Sequence, residues 1–170
     1  MTTESVTPEA HHAWAIYLRA SEEARRRGDR RTGTDHLLLG LLEDPSIELV
    51  LGVSLQQARQ ALALLDQEAL GAVGLRSGTD APPLPTRPVP KKPTFRAVAS
   101  KDRLRMTPVA KKVLEAAVKP NRRKTQVTAQ QVLAQILTLQ PRDPAAVLLG
   151  ALDVNTPEVR RRLDPVTLDS

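Results

Sequence analysis

Apolar positions along this chain recur with helical spacing and fall into two blocks. In the first, Leu37, Leu38, Leu41 and Leu42 stand at i, i+1, i+4 and i+5, which puts all four on one helical face. In the second, Val132, Leu133, Ile136 and Leu137 repeat that spacing. The punctuation around the two faces matches as well. Thr7-Pro8 opens a helix predicted to run to about Arg27, where Gly28 and Asp29 break it. Thr32-Gly33-Thr34 opens the next, which ends before Pro45. A short helix covers about Ser46 to Leu51, and Gly52-Val53-Ser54 turns into a last one over about 55–70. The second block predicts a helix from Thr107-Pro108 through Ala117. A second is opened by Thr128, with Gln131 three residues on as a capping box. A third runs from Asp143-Pro144 through Leu152. The fourth starts at Thr156-Pro157, after the turn Asp153-Val154-Asn155. Thr-Pro suits a helix start because Thr accepts from free amides and Pro at the first helical position loses no hydrogen bond.

The blocks overlay beyond their faces. Val53-Ser54 falls on Val154-Asn155, and Leu62 on Leu163. An internal repeat of four helices follows. Each copy alone has a thin core, so the expected fold is all-α, with the two copies packed as a pseudo-twofold pair. Between them, Pro82, Pro83, Pro85, Pro88, Pro90 and Pro93 remove amide donors and exclude helix interiors. The chain therefore reads as a first repeat over 1–70, a flexible Pro-rich linker over 71–105 and a second repeat over 106–170.

Composition narrows the function. Trp14, Tyr17 and Phe95 are the whole aromatic content, which argues against a β-sandwich and leaves little on which bases could stack. Cysteine is absent, so disulfides and thiol chemistry are excluded. No apolar run approaches the ~20 residues that span a bilayer, and the N-terminus lacks the pattern of a signal peptide. A soluble cytoplasmic protein is the expectation. The net charge of +6 is unevenly spread. Residues 1–70 hold 7 Lys/Arg against 11 Asp/Glu, residues 71–105 hold 8 against 2, and residues 106–170 hold 10 against 6. The basic character thus sits in the linker and the second half.

Catalytic patterns do not assemble. His11 and His12 are adjacent, about 100° apart on a helix, and do not chelate together. His36 has no partner at metal-ligand spacing and reads as part of its helix start. Ser21 and Ser54 have no elbow motif. Glu22 and Glu23 read as balancing Arg25, Arg26 and Arg27 on a solvated face. No Gly-x-x-x-x-Gly-Lys-[Ser/Thr] phosphate loop occurs.

Several stretches together resemble a known family. Gly33-Thr34-Asp35-His36-Leu37-Leu38-Leu39-Gly40-Leu41-Leu42, the upstream Ala20-Ser21-Glu22-Glu23-Ala24, the turn Leu51-Gly52-Val53-Ser54 and the second start Thr107-Pro108-Val109-Ala110-Lys111-Lys112-Val113-Leu114-Glu115 are similar to the repeats of the Clp unfoldase N-terminal domain. The resemblance implies a non-catalytic, cofactor-free module that binds proteins or peptides through the groove between its repeats. It would act as adaptor, substrate-recognition or decoy protein, with Clp unfoldase or protease subunits, or phosphoarginine-marked proteins, as partners. It also implies candidate contacts. Asp35 would hold a guanidinium, Thr107 and Lys111 a phosphate, Met106 the opening of the second repeat, and Gln130 stands where Asp35 stands in the first copy. Each residue has a plainer role beside this one: Thr107 as helix cap, Met106 as hydrophobic staple, Lys111 and Asp35 as surface charges. Two other readings stay open. One is a basic protein that binds nucleic acid or phosphate through the linker and the arginine clusters. The other is the N-terminal piece of a longer unfoldase.

Overall fold

The computed structural model describes residues 10–72, 74, 104–118 and 126–167. The predicted start at Thr7-Pro8 and the six prolines of the predicted linker lie outside them. Inside them, the chain begins as a short strand β1 (Ala10–His12), and helix α1 starts only at Ala13 and runs to Arg27. The expectation of helix straight through residues 10–12 is therefore corrected: these residues pair with another strand. A two-residue strand β2 (Arg31–Thr32) leads into α2 (Thr34–Leu41), followed by α3 (Pro45–Leu51) and α4 (Leu55–Ala72). The second copy is laid out alike: β3 (Arg105–Met106), α5 (Pro108–Val118), β4 (Gln126–Thr128), α6 (Ala129–Ile136), α7 (Pro144–Ala151) and α8 (Thr156–Thr167).

Local chemistry explains the helix starts. Asp44 and Asp143 each cap a helix whose first residue is Pro, accepting from the amides of Ser46 (2.9 Å) and Ala145 (3.1 Å). The Thr128 hydroxyl accepts the Gln131 amide while Gln131 Oε1 accepts the Thr128 amide, which closes the predicted capping box. At the end of α3, Gly52 adopts the left-handed conformation at φ 69°. Its counterpart by the Val53/Val154 overlay is Asp153, which takes φ 52°. Asp is among the few side chains that tolerate this region.

The core forms where the two helical faces meet. All eight face positions, Leu37, Leu38, Leu41, Leu42, Val132, Leu133, Ile136 and Leu137, are buried, and so are Leu62 and its counterpart Leu163. Helix α2 is central and packs against α1, α4, α5, α6 and α7. It reaches α1 closely at Gly40, where an added Cβ would lie 2.8 Å from the backbone nitrogen of Ala20. Contacts between α3 and α8 mirror those between α4 and α7, as a pseudo-twofold pair requires.

The short strands tie the copies together reciprocally. β1 of the first pairs with β4 of the second, with His11 opposite Val127, and β2 pairs with β3, with Thr32 opposite Met106. The strand that opens each copy thus joins the strand leading into the other copy's second helix. The symmetry fails in direction, since the first pair is antiparallel and the second parallel.

Candidate functional site

The charged residues of the first repeat converge at the end of α1. Arg27, in its last turn, holds three carboxylates: Asp35 at 3.1 Å, Asp66 of α4 at 2.7 Å and Asp29 at 3.5 Å. Asp35 is 8% exposed and is no surface charge. Its carboxylate folds back over Gly33, where an added Cβ would meet Asp35 Oδ1 and push that carboxylate aside. Burial pushes the Asp35 carboxyl up. The hydrogen bond and charge of His36 and the charge of Arg27 outweigh that and hold it below the usual carboxylate range.

His36 completes the cluster. Its Nδ1 accepts the Gly33 amide at 3.0 Å and its Nε2 faces Asp29 at 2.9 Å. This closes the start of α2, the role read from the sequence. Nδ1 also stands 3.3 Å from Asp35 Oδ1, so a protonated ring turns from accepting at Gly33 to donating at Asp35. Burial pulls the imidazole down. The hydrogen bond and charge of Asp35 and the charge of Asp29 outweigh it, and the net shift is upward.

Glu23 departs from the solvated-face expectation. It is 2% exposed, and Arg59 of α4 grips it with Nε at 3.0 Å and Nη2 at 2.5 Å. Glu23 and Arg27 find their partners on α4, at residues 36 and 39 positions away. Between α1 and α4 runs an open cleft of about 580 Å³, floored by Leu39 and Leu62 and edged by Arg26, Arg59, Asp66 and Leu70. Its lining comes entirely from the first repeat, not from the groove between the copies. Leu64 and Leu70 of α4 are large exposed apolar residues.

The other candidate residues take distinct places. Met106 lies on β3, half-buried against the core, where a staple ahead of α5 belongs. Thr107 caps α5: its hydroxyl accepts the Ala110 amide at 3.3 Å, and its own amide donates to the Thr32 carbonyl at 2.9 Å. Lys111 is exposed and pairs with Glu115 at 3.6 Å. Gln130 is half-buried on α6, with its Oε1 buried and without a hydrogen-bond partner among the described residues. Thr107 therefore sits against the strand that leads to Asp35, and β1 sits against the strand that leads to Gln130. The strand exchange combines a helix start from one copy with the approach to the second helix of the other. Nothing in local periodicity signals that exchange. A further tie between the copies, also silent in the sequence, is the Thr34 hydroxyl donating to the Asp143 carboxylate at 2.5 Å.

Among the described residues there is no group of three or more metal-capable side chains, and no helix is long and apolar enough to cross a membrane. No protein-family model matches the chain, and no curated protein sequence matches it. Among solved structures, the N-terminal domain of the caseinolytic protease associated chaperone ClpD from Arabidopsis thaliana is similar. It shares 20% sequence identity at a TM-score of 0.58, and the match covers 94% of this chain and 96% of that one. At that identity the likeness defines the fold: two packed helical repeats of the Clp N-terminal type.

Proposed function

We propose that this chain, which shares the fold of a Clp chaperone's N-terminal domain, is a non-catalytic module that binds proteins and peptides. It serves Clp-dependent proteolysis as an adaptor, substrate-recognition or decoy protein. The observation that carries the reading is the match of fold over nearly the full length of both chains. The site chemistry supports it. The Ser21 hydroxyl is spent on Thr32 at 3.1 Å and His36 on Gly33 and Asp29, so neither addresses the other as nucleophile and base.

Phosphoarginine is the finer proposal for the ligand. Its support is that Asp35 already holds a guanidinium, that of Arg27, and that the Thr107 helix start lies against the strand leading to Asp35. An incoming guanidinium would have to share or displace Arg27.

Fluorescence anisotropy with a labelled unfolded polypeptide, run beside an RNA oligomer of equal length, tests the general reading. Saturable binding of the polypeptide supports it, and binding of RNA alone overturns it. Free phosphoarginine is then added as competitor to the wild type and to Asp35→Asn. Displacement that the substitution abolishes supports the finer proposal, and no displacement at millimolar concentration refutes it.

A further inference from the structure

Most arginines of the described residues are committed within the fold. Arg27, Arg59 and Arg162 face carboxylates, and Arg160 donates to the Leu137 carbonyl. Arg25, Arg30, Arg31, Arg105 and Arg142 differ. All five are exposed, and none makes a side-chain hydrogen bond or ion pair to a described residue.

The fold brings two of them, Arg31 and Arg105, to one place. Arg31 and Arg105 are Cα partners in the parallel pair of β2 and β3. Side chains alternate along a strand, and in-register partners project to the same face. Thr32, fully buried, and Met106 turn toward the core, so Arg31 and Arg105 stand side by side on the outer face. Like charges directly opposite one another weaken a strand pair. Helix α5 starts three residues after Arg105, so its positive N-terminal end adds to the same field. The pair exists only in the folded chain, since residues 31 and 105 lie 74 positions apart.

We propose that this outer face of the β2–β3 ribbon is a docking surface for an acidic segment of a protein partner, whose neighbouring carboxylates bridge Arg31 and Arg105. The inference rests on the protein-binding reading above and names the chemistry of one partner. Charge complementarity selects an acidic occupant, and a guanidinium takes a carboxylate through two parallel hydrogen bonds. Strands in a ribbon lie about 4.8 Å apart, and alternate side chains of an extended segment repeat at roughly 6.6 Å, so two such carboxylates reach both arginines. A nucleic-acid strand asks for more: a row of cations that tracks the backbone and aromatic platforms for the bases. Here the cations form one compact pair, and the described aromatics, Trp14 and Tyr17, pack on each other at 5.0 Å, with the Tyr17 hydroxyl donating to the Leu104 carbonyl.

The test is anisotropy with a labelled peptide of consecutive glutamates, against its glutamine counterpart and an RNA oligomer of equal charge. The wild type is expected to bind the glutamate peptide about tenfold more tightly than the glutamine one. Arg31→Gln/Arg105→Gln is expected to lose about tenfold on the glutamate peptide, a loss of the size measured when close charge pairs at interfaces are broken. Arg142→Gln/Arg161→Gln removes the same charge elsewhere and is expected to change little. Both replaced ribbon arginines are exposed and make no ion pair with a described residue, so the melting temperature should stay at the wild-type value, which separates lost binding from lost fold. Equal weakening by the two double variants overturns the proposal, and so does binding of RNA without the glutamate peptide. The unfolded polypeptide is measured in parallel on the wild type. Its binding beside a failed glutamate peptide removes this surface alone, whereas its absence removes the binding-module reading itself.

Discussion

At the scale of single residues, the first repeat is organised around Arg27. Three carboxylates converge on one guanidinium, and the most buried of them, Asp35, also touches His36. Removing Arg27 leaves Asp35 buried with less compensation, so Arg27→Ala is expected to cost about 2–3 kcal/mol in urea unfolding. An unchanged midpoint would show that Asp66 and Asp35 relax into water at no cost. The pH dependence has two parts with opposite signs. His36 is raised above 6.5 in the folded state, so its contribution is complete below that value and is lost as pH rises through the folded one. Asp35 is lowered below 3.8, so its contribution is present above that value and is lost as pH falls through the folded one. Imidazole resonances followed by NMR should place the His36 titration above 6.5, and Asp29→Asn should move it down by removing one of the charges that raise it. A His36 titration at or below 6.5 in the wild type would contradict the ion-pair geometry.

Among the elements, α2 sets the spacing of the molecule. Its first turn is closed by His36, its face carries four buried leucines, and Gly40 lets α1 approach to backbone distance. A methyl at Gly40 meets the backbone of Ala20 rather than a side chain that can swing away, so Gly40→Ala is expected to cost roughly 1–3 kcal/mol through overpacking. The same substitution at Gly150 meets open space and serves as the control. A Gly40→Ala variant as stable as that control, compared by thermal unfolding, would mean that α1 and α2 can slide apart freely. Most helix boundaries at this scale were legible in the sequence, because caps and prolines act on their immediate neighbours. The start of α1 was not. Thr7-Pro8 carries the signal for a helix start, yet residues 10–12 are drawn into a strand by Gln126-Val127-Thr128 of the other copy.

For the whole molecule, the repeats share one core through α2, α6 and α7, and each lends the other a strand ahead of its second helix. One cooperative unfolding transition is therefore expected. Leu133→Ala lies in the second repeat, while Trp14, the chain's single tryptophan, reports on the first. Truncating that fully buried leucine is expected to cost about 2–5 kcal/mol and to lower the urea midpoint seen by Trp14 fluorescence as much as that seen by circular dichroism. A fluorescence midpoint left at the wild-type value would show that the repeats unfold independently.

The amino-acid sequence alone determined the duplication, the all-helical architecture and the two buried faces. Each of these is written in spacings of a few residues, and hydrophobic burial reads such spacings directly. It also pointed to His36 and Thr107 as residues that close helix starts, where capping is a local matter. The tertiary structure decided which charges meet. Glu23 and Arg27 left the solvated face because Arg59 and Asp66 of α4 meet them there, and Asp35 became the buried partner of Arg27. It also decided that Arg31 and Arg105, 74 positions apart, stand side by side as strand partners. Pairing over that distance depends on how two helical repeats close on each other, and no local pattern in either repeat encodes it.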